Sequence, residues 1–338
     1  MKLASFRVRS SGAVCFGAEW PLPGPPSLID LVKAWSLYAE ENSGSQLSHD
    51  ELQEDLPSDA IRFIEGGAEQ LARARSALYH CVRRAADAPG HRALVERGVL
   101  YPVSEVGFLP PVPRPGKVIS LGVNYPTHLA EAAALPSVQR LKSGPGLPRA
   151  FSKLPSVLIG HREPVVYPRM TKQLDYEIEL ALVIGKRCKN VPRNMAADVI
   201  YGYTIFNDIS MRDVQQDEMA IGLLLLGKNF DTSGPIGPWL VTADEIANPN
   251  SLDLTLSVNG DVRQRDNTRN MLRAVPEIIE YWSQVTLEAG DVISTGTPAG
   301  VGIFSNPPEK FLLRPGDRLE ATITGLGTLE NTVVPQRD

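Results

Sequence analysis

Cysteine and long apolar runs are both scarce in this chain of 338 residues. Its three cysteines, Cys15, Cys81 and Cys188, are too few and too widely spaced for a disulfide framework or a cysteine-based zinc site. No stretch approaches the roughly 18 consecutive apolar residues that cross a membrane, and the N-terminus lacks the apolar core of a signal peptide. We therefore expect a cytoplasmic protein with no membrane partner.

An excess of charge of one sign is absent as well. The formal net charge is −5 and charged residues make up 22% of the chain, so its electrostatics do not favour nucleic acid or an anionic membrane as a partner. Hydrophobic residues, at 43%, are sufficient for a sizeable core. These properties are typical of an ordinary soluble globular protein.

The N-terminal segment mixes strand and helix patterns. Residues 2–17 alternate apolar and polar side chains, as a short strand hairpin does. Ser27 is a candidate N-cap for a helix that runs through Tyr38, and a second helical pattern begins near Ser58 and resumes after Gly67. We interpret this segment as a small α/β domain.

Prolines mark the end of that segment. They cluster at 109–116, where they remove backbone donors and disfavour both helix and central strand. We place the domain boundary there, with a small N-terminal domain at 1–113 and a larger domain at 114–338.

Strand patterns dominate the larger domain. They lie at Val118–Gly122, Leu174–Ile184, Ile200–Asn207, Leu252–Val258, Asp291–Thr295 and Arg318–Ile323. Helical patterns are mostly confined to 127–134, 194–199 and 273–284. Because regular helices do not separate successive strands, a doubly wound parallel sheet is disfavoured and a β-rich α+β fold is predicted.

The strand pattern at Leu174–Ile184 carries three carboxylates on one face, at Asp175, Glu177 and Glu179. A solvated edge strand would show the same alternation. Beyond Glu179, however, this face becomes apolar, which indicates that the carboxylates lie at the mouth of a buried pocket. An all-oxygen cluster of this kind suits Mg²⁺, Mn²⁺ or Ca²⁺ better than zinc, and Mg²⁺ is the first choice.

Two further polar loci follow strands. Asp208 comes directly after a strand pattern and is a candidate third ligand, although an Asn-Asp pair is also typical of a turn. After Val118–Gly122, Asn124 or Thr127 could cap a short helix that carries His128 and Glu131 on one face. A carboxylate so placed can orient a histidine as a general base, but a surface His–Glu pair has the same spacing.

Several short segments, taken in order, resemble the fumarylacetoacetate hydrolase family. Among them are Asn-Tyr-x-x-His-x-x-Glu, Asp-Tyr-Glu-Ile-Glu-Leu and Asn-Asp-Ile-Ser-x-Arg-Asp-Val-Gln. They lie at 114–131, 175–180, 207–215, 227–232, 237–242, 290–302, 315–317 and 325–331. The resemblance covers roughly 110–332, and the N-terminal segment is similar to the smaller domain that many members carry.

The resemblance implies a mixed β-sheet roll as the catalytic domain, and a homodimer. It implies that Mg²⁺ or Mn²⁺ is bound by Glu177, Glu179 and Asp208, with Asp175 behind them. It assigns catalysis to His128, Glu131 and Lys228, with the His–Glu pair on a helix that can close as a lid. It assigns substrate contacts to Tyr125, Arg212, Gln215 and Thr297.

The implied reaction is the hydrolysis of a carbon–carbon bond in a small diketo acid or acylpyruvate-like substrate, such as occurs in the catabolism of aromatic compounds. An oxo-acid decarboxylase, isomerase or hydratase on the same metal site is the alternative. A non-catalytic binding protein is disfavoured because the predicted ligands and the His–Glu pair are retained together. The glycines of 296–302 lack the spacing of a dinucleotide-binding loop, and 135–148 is predicted to be a mobile loop near the lid.

Overall fold

The computed structural model describes residues 1–44, 46–134 and 147–337, so most of the loop predicted at 135–148 lies outside the described residues. The strands are β1 (Lys2–Val8), β2 (Val14–Glu19), β3 (Ser27–Asp30), β4 (Leu100–Pro102), β5 (Val106–Phe108), β6 (Val118–Leu121), β7 (Ala150–Lys153), β8 (Leu158–Ile159), β9 (Val165–Tyr167), β10 (Leu174–Asp175), β11 (Ile178–Ile184), β12 (Ile200–Asn207), β13 (Ser210–Met211), β14 (Gly234–Thr242), β15 (Asp253–Val258), β16 (Asp261–Asn267), β17 (Val292–Ser294), β18 (Arg318–Ile323) and β19 (Gly327–Pro335). The α-helices are α1 (Leu31–Ser43), α2 (His49–Asp55), α3 (Ala60–Glu65), α4 (Gly67–Arg84), α5 (Ala88–Glu96), α6 (Pro126–Glu131), α7 (Arg212–Ala220) and α8 (Val275–Trp282).

Two sheets form the frame of the molecule. The larger has the order β4-β3-β2-β1-β14-β12-β11-β17-β6-β7, with β5 paired to β1 and β8 paired to β14. The smaller has the order β16-β15-β18-β19-β9. Most pairs are antiparallel, whereas β17 with β6, β14 with β8 and β19 with β9 are parallel. This strand-rich, mixed arrangement confirms the predicted α+β fold.

The larger sheet is buried on both faces. On β11, Leu180 and Leu182 pack into a core shared with residues of the smaller sheet, such as Leu254. Ala181 and Val183 point the other way, into a core built with the N-terminal helices. Because successive strand residues face opposite sides, the apolar continuation predicted beyond Glu179 is confirmed as a strand that is buried on both faces.

The carboxylate segment is not one continuous strand, as had been predicted. It is divided into β10 and β11, because side chains take the backbone donors at the break. The N–H of Glu177 donates to Asn207 Oδ1 (2.9 Å), and that of Ile178 donates to Gln264 Oε1 (3.0 Å). Asp175 pairs instead with Ser210 of β13. The segment therefore bends at the point where its carboxylates lie.

Helix starts in the N-terminal segment differ from the prediction. Ser27 is not an N-cap, since it belongs to β3, which pairs with β2 and β4. Helix α1 begins after Asp30, whose side chain accepts from the N–H groups of Val32 and Lys33. Helices α2 and α5 were not predicted. Ser48 and Glu51 form a capping box at the start of α2, which is a sequence pattern typical of a helix N-terminus.

Helix α6 was predicted correctly, but its caps were not. It begins at Pro126, which suits the first turn of a helix, and no side chain caps it. Asn124 donates instead to the carbonyl oxygens of Thr295 (2.7 Å) and Arg273 (3.2 Å). Thr127 donates to Asp266 Oδ2 (3.3 Å). These contacts join the helix and the residues just before it to the loops at Arg273 and Thr295 and to β16.

The strands at 1–113 extend the larger sheet. In β1, Lys2 lies opposite Val241 and Leu3 lies opposite Leu240 of β14. The division at residue 113 stays a prediction. No helix in the described ranges is both long and apolar enough to cross a membrane.

The imidazole of His161 links stability to pH. It accepts from the N–H of Glu330 (3.1 Å) and packs edge-on against Phe108. Burial, and then the charge of Arg162, lower the pKa of His161 to about 4. In the unfolded chain that pKa is about 6.5. The free energy of unfolding is therefore up to about 3 kcal/mol higher above pH 6.5, where His161 is neutral in both states, than at acid pH. This contribution is lost as the pH falls towards 4.

Unfolding in urea between pH 7 and pH 4.5 tests this contribution. The free energy of unfolding of His161→Gln should depend less on pH than that of the wild type, since glutamine still accepts from Glu330 but does not titrate. Equal pH dependence in both proteins would contradict the assignment.

Candidate functional site

The backbone brings three predicted ligands together at the ends of β11 and β12. Glu177 precedes β11, Glu179 lies within it, and Asp208 directly follows β12. The N–H of Asp208 donates to the carbonyl of Glu177 (2.9 Å), which fixes one chain segment against the other. All three side chains are buried, and each offers an oxygen within 4.8 Å of the others.

Arg212, at the start of α7, joins two of the carboxylates of the bent segment. Its Nε donates to Asp175 Oδ2 (2.8 Å), and one terminal nitrogen lies 2.7 Å from Glu177 Oε1. The other terminal nitrogen donates to Gln215 Oε1 (2.9 Å). Asp175 also accepts from the N–H groups of Gly302 (2.8 Å) and Ile303 (3.0 Å). It therefore ties the glycine-rich loop to the carboxylate segment.

Lys228 lies between two of the predicted ligands. Its Nζ donates to Glu177 Oε2 and to Asp208 Oδ2, both at 2.7 Å. The second oxygen of Asp208 is 2.8 Å from Nζ of Lys153, which is fully buried. The sequence predicted Lys228 as a site residue only through the family resemblance, and it gave no signal for Lys153.

These contacts shift the pKa values of Glu177 and Glu179 in opposite directions. Burial alone would raise the pKa of Glu177, but the charges of Lys228 and Arg212 lower that pKa well below its usual value. For Glu179, burial and then the charges of Asp208 and Glu177 raise the pKa well above its usual value. Two glutamates two residues apart therefore bind protons with very different affinity.

Among the described residues, neutral groups are the donors to the carboxylate of Glu179. The hydroxyl of Ser294 and the N–H of Gly296 (3.1 Å) both donate to Glu179 Oε2. The negative charge of Glu179 is therefore the one that neighbouring lysine or arginine side chains do not directly compensate.

The donor set fits a divalent cation. All three side chains offer carboxylate oxygens, which are the ligands that Mg²⁺, Mn²⁺ and Ca²⁺ prefer. The crowded negative charge that raises the pKa of Glu179 is the kind of charge a cation neutralises.

Glu177 and Glu179 of the acidic cluster line a cavity of about 740 Å³, measured with its open mouth included. Its polar lining comprises His128, Glu177, Glu179, Arg212, Gln215, Gln216, Lys228 and Thr297. The remaining walls are mostly apolar and include Leu121, Phe151, Met219, Leu224 and Phe304. This is an apolar cleft with convergent polar groups, as is typical of small-molecule sites.

His128 and Glu131 lie beside this cavity. His128 Nδ1 is 3.4 Å from Glu131 Oε2, and the other oxygen of Glu131 accepts from the N–H of Gly300 (2.9 Å). Glu131 thus holds the histidine ring and fastens α6 to the glycine-rich loop. His128 and Glu131 lie on the same face of α6, as the sequence predicted.

Thr297 and Tyr125 differ in their placement. Thr297 lines the cavity, but its hydroxyl donates to the carbonyl of Ile178 (2.9 Å) and accepts from Gln264 (2.8 Å). Tyr125 is fully buried in the core and is not part of the cavity lining. Its predicted role in substrate binding therefore stays a prediction.

Comparison with known proteins agrees with this geometry. Residues 117–334 match the family model described as fumarylacetoacetate (FAA) hydrolase C-terminal. The mitochondrial oxaloacetate tautomerase FAHD2A of Bos taurus is 37% identical over 294 residues, which cover 87% of this chain and 85% of the relative. The oxaloacetate tautomerase YisK of Bacillus subtilis is 38% identical, over 83% of this chain and 88% of the relative.

A solved structure of maleylpyruvate hydrolase from Sphingobium sp. SYK-6, in complex with manganese(II) ion and pyruvate, aligns over 100% of both chains. The sequence identity is 29% and the TM-score is 0.67. The chain therefore belongs to the fumarylacetoacetate hydrolase family, and it is an enzyme of that family.

Glu179→Gln should strongly weaken metal binding without unfolding the protein. Glutamine resembles the protonated glutamate that the raised pKa favours, and it can still accept from Ser294 and Gly296. We expect Mn²⁺ affinity to fall at least about 100-fold, which corresponds to about 2.7 kcal/mol. The midpoint of thermal unfolding without metal should be unchanged or higher. Isothermal titration with Mn²⁺ and a thermal melt measure the two quantities.

Glu131→Gln is the matched control, because it alters a carboxylate beside the same cavity that is not a predicted ligand. It should bind Mn²⁺ as the wild type does. An equal loss of Mn²⁺ affinity in both variants would contradict the ligand assignment. Retained Mn²⁺ affinity in Glu179→Gln would contradict it as well.

Proposed function

We propose that this protein is a metal-dependent enzyme that moves a proton on the carbon beside the ketone of a small oxo acid, as in keto–enol tautomerisation or isomerisation. The observation that carries the proposal is the His128–Glu131 pair beside the cavity that Glu177 and Glu179 line. Such a pair can act as a base where the cluster would bind the oxo acid. The oxaloacetate tautomerases that match over most of their length support this reaction class.

Glu177, Glu179 and Asp208 would hold the cation, which we propose to be Mg²⁺ or Mn²⁺. Bound there, it would supply positive charge to a carbonyl oxygen and to the enolate that develops from it. The manganese(II) ion named in the maleylpyruvate hydrolase structure supports a divalent ion.

The charges of the site suit an anionic substrate. Without Glu179, the carboxylates of Asp175, Glu177 and Asp208 balance the cations of three buried side chains. A divalent ion beside ionised Glu179 then leaves one positive charge, which would attract an anionic substrate. The three cations are Lys153, Arg212 and Lys228.

Two side chains keep donors for the substrate. Gln215 accepts from Arg212 through its oxygen, so its amide NH₂ group is directed elsewhere and can donate to a substrate carboxylate. Lys228 uses two of its three N–H bonds on carboxylates and can donate the third to the developing enolate oxygen. His128 would take the proton from carbon and return it, while Glu131 holds the ring in place.

Hydrolysis of a carbon–carbon bond, the reaction first predicted from the sequence, is the second candidate. The alignment with maleylpyruvate hydrolase, whose structure contains pyruvate, supports it. His128 would then take a proton from water instead of from carbon.

We also propose a homodimer, a cytoplasmic location and a separate N-terminal domain at 1–113.

His128→Ala should separate proton transfer from metal binding. We expect kcat for oxaloacetate tautomerisation, followed by the ultraviolet absorbance of the enol, to fall by about 10²- to 10⁴-fold, because a positioned base contributes that much. The Mn²⁺ affinity should stay within about twofold of the wild type, because His128 is not a predicted ligand. His49→Ala, which alters an exposed histidine of α2, is the matched control.

Full turnover by His128→Ala would show that another group is the base. If wild-type protein with Mn²⁺ instead cleaved acylpyruvates and left the enol–keto equilibration of oxaloacetate at its spontaneous rate, the hydrolase would replace the tautomerase as the assigned function.

A further inference from the structure

Lys153 is a fully buried lysine close to the acidic cluster, and it takes no part in the mechanism above. Its Nζ donates to the carbonyl of Ser233 (2.9 Å), to the hydroxyl of Ser233 (3.1 Å) and to the carbonyl of Lys228. It is also 2.8 Å from Asp208 Oδ1. A buried ammonium group requires such compensation, and each of its partners belongs to the site or to the loop behind it.

The segment around Lys153 holds that loop at several points. Asn229 donates to the carbonyl of Ser152 (2.9 Å) and accepts from the N–H of Leu154 (2.6 Å). Nζ of Lys228 lies 5.2 Å from the ring centre of Phe151, a distance suited to a cation–π contact. Strand β7 therefore fixes both the backbone and the ammonium group of Lys228.

Asp208 lies between two lysines, and a lysine nitrogen lies within ion-pair distance of each of its oxygens. Lys153 is at Oδ1 (2.8 Å) and Lys228 is at Oδ2 (2.7 Å). This arrangement fixes the rotation of the carboxylate about its side-chain bond. Lys153 does not line the cavity, so it reaches a substrate or a cation only through Asp208 and the loop of Lys228.

We propose that Lys153 is a positioning residue, which sets the orientation of Asp208 as a metal ligand and of Lys228 as an oxyanion donor. The inference rests on the metal site of the proposed function. Groups that orient a ligand from behind contribute about 10- to 100-fold to metal affinity. A simple electrostatic effect has the opposite sign, because a lysine beside the site repels a second cation.

The test measures Mn²⁺ affinity by electron paramagnetic resonance, without substrate, in Lys153→Met. Methionine keeps an unbranched side chain that is one atom shorter, and it removes the charge. We expect Mn²⁺ affinity to fall about 10- to 100-fold and the signal of the bound ion to change. Ser233→Ala removes one partner of Lys153 and leaves no unpaired charge, so it should fold readily and bind Mn²⁺ roughly two- to tenfold more weakly.

Lys117→Met is the matched control. Lys117 pairs with the buried carboxylate of Asp291 at 2.7 Å, but neither residue lines the cavity. The Mn²⁺ affinity of Lys117→Met should match that of the wild type even if the thermal stability of the variant falls.

Unchanged or tighter Mn²⁺ binding in Lys153→Met, or in Ser233→Ala if the first variant fails to fold, would overturn the positioning role and leave the proposed function standing. No Mn²⁺ binding by the wild type would overturn the metal site and the role of Lys153 together. Equal weakening in Lys117→Met would also overturn the role, because it would show a general effect of stability.

Discussion

Opposite charges alternate through the buried centre of this enzyme, and the site depends on that alternation. The order is Asp175, Arg212, Glu177, Lys228, Asp208 and Lys153. A buried charge without a partner is costly, so each of these six charged groups depends on its oppositely charged neighbour. Because the members come from β7, β10, the two breaks beside β11 and β12, α7 and the loop after it, the alternation also fixes how these elements meet.

Glu179 lies beside this charge chain but not in it. Burial, and then the charges of Asp208 and Glu177, raise the pKa of Glu179. The six alternating groups are neutral as a set, so the charge of Glu179 has no ion-pair partner among them. A proton or a cation can supply the missing positive charge. In the proposed metal site, one extra carboxylate rather than a general excess of acid would attract the cation, which agrees with the modest net charge of −5.

Periodicity predicted much of this arrangement, and the remainder depends on long-range contacts. Alternation placed apolar residues on both faces of β11, and strand ends pointed to Asp208. The break between β10 and β11 could not be predicted, because the groups that cause it, Asn207 and Gln264, are distant in sequence. Lys153 gave no signal for the same reason, since a lysine in a short strand normally faces solvent. Lys228 and Arg212 were identified only through the family resemblance.

The pairing of β11 with β12 has a consequence for folding. Ile178 lies opposite Asn207, and Glu179 lies opposite Phe206. A slip of one residue would turn every side chain of β11 to the other side, which would remove Glu179 from the cluster and push Leu180 towards Lys228. A cation held by the three proposed ligands would therefore be compatible with a single alignment of the two strands. A divalent ion that binds as proposed would favour the correctly aligned sheet over a slipped one during refolding, because only the correct alignment brings the ligands together.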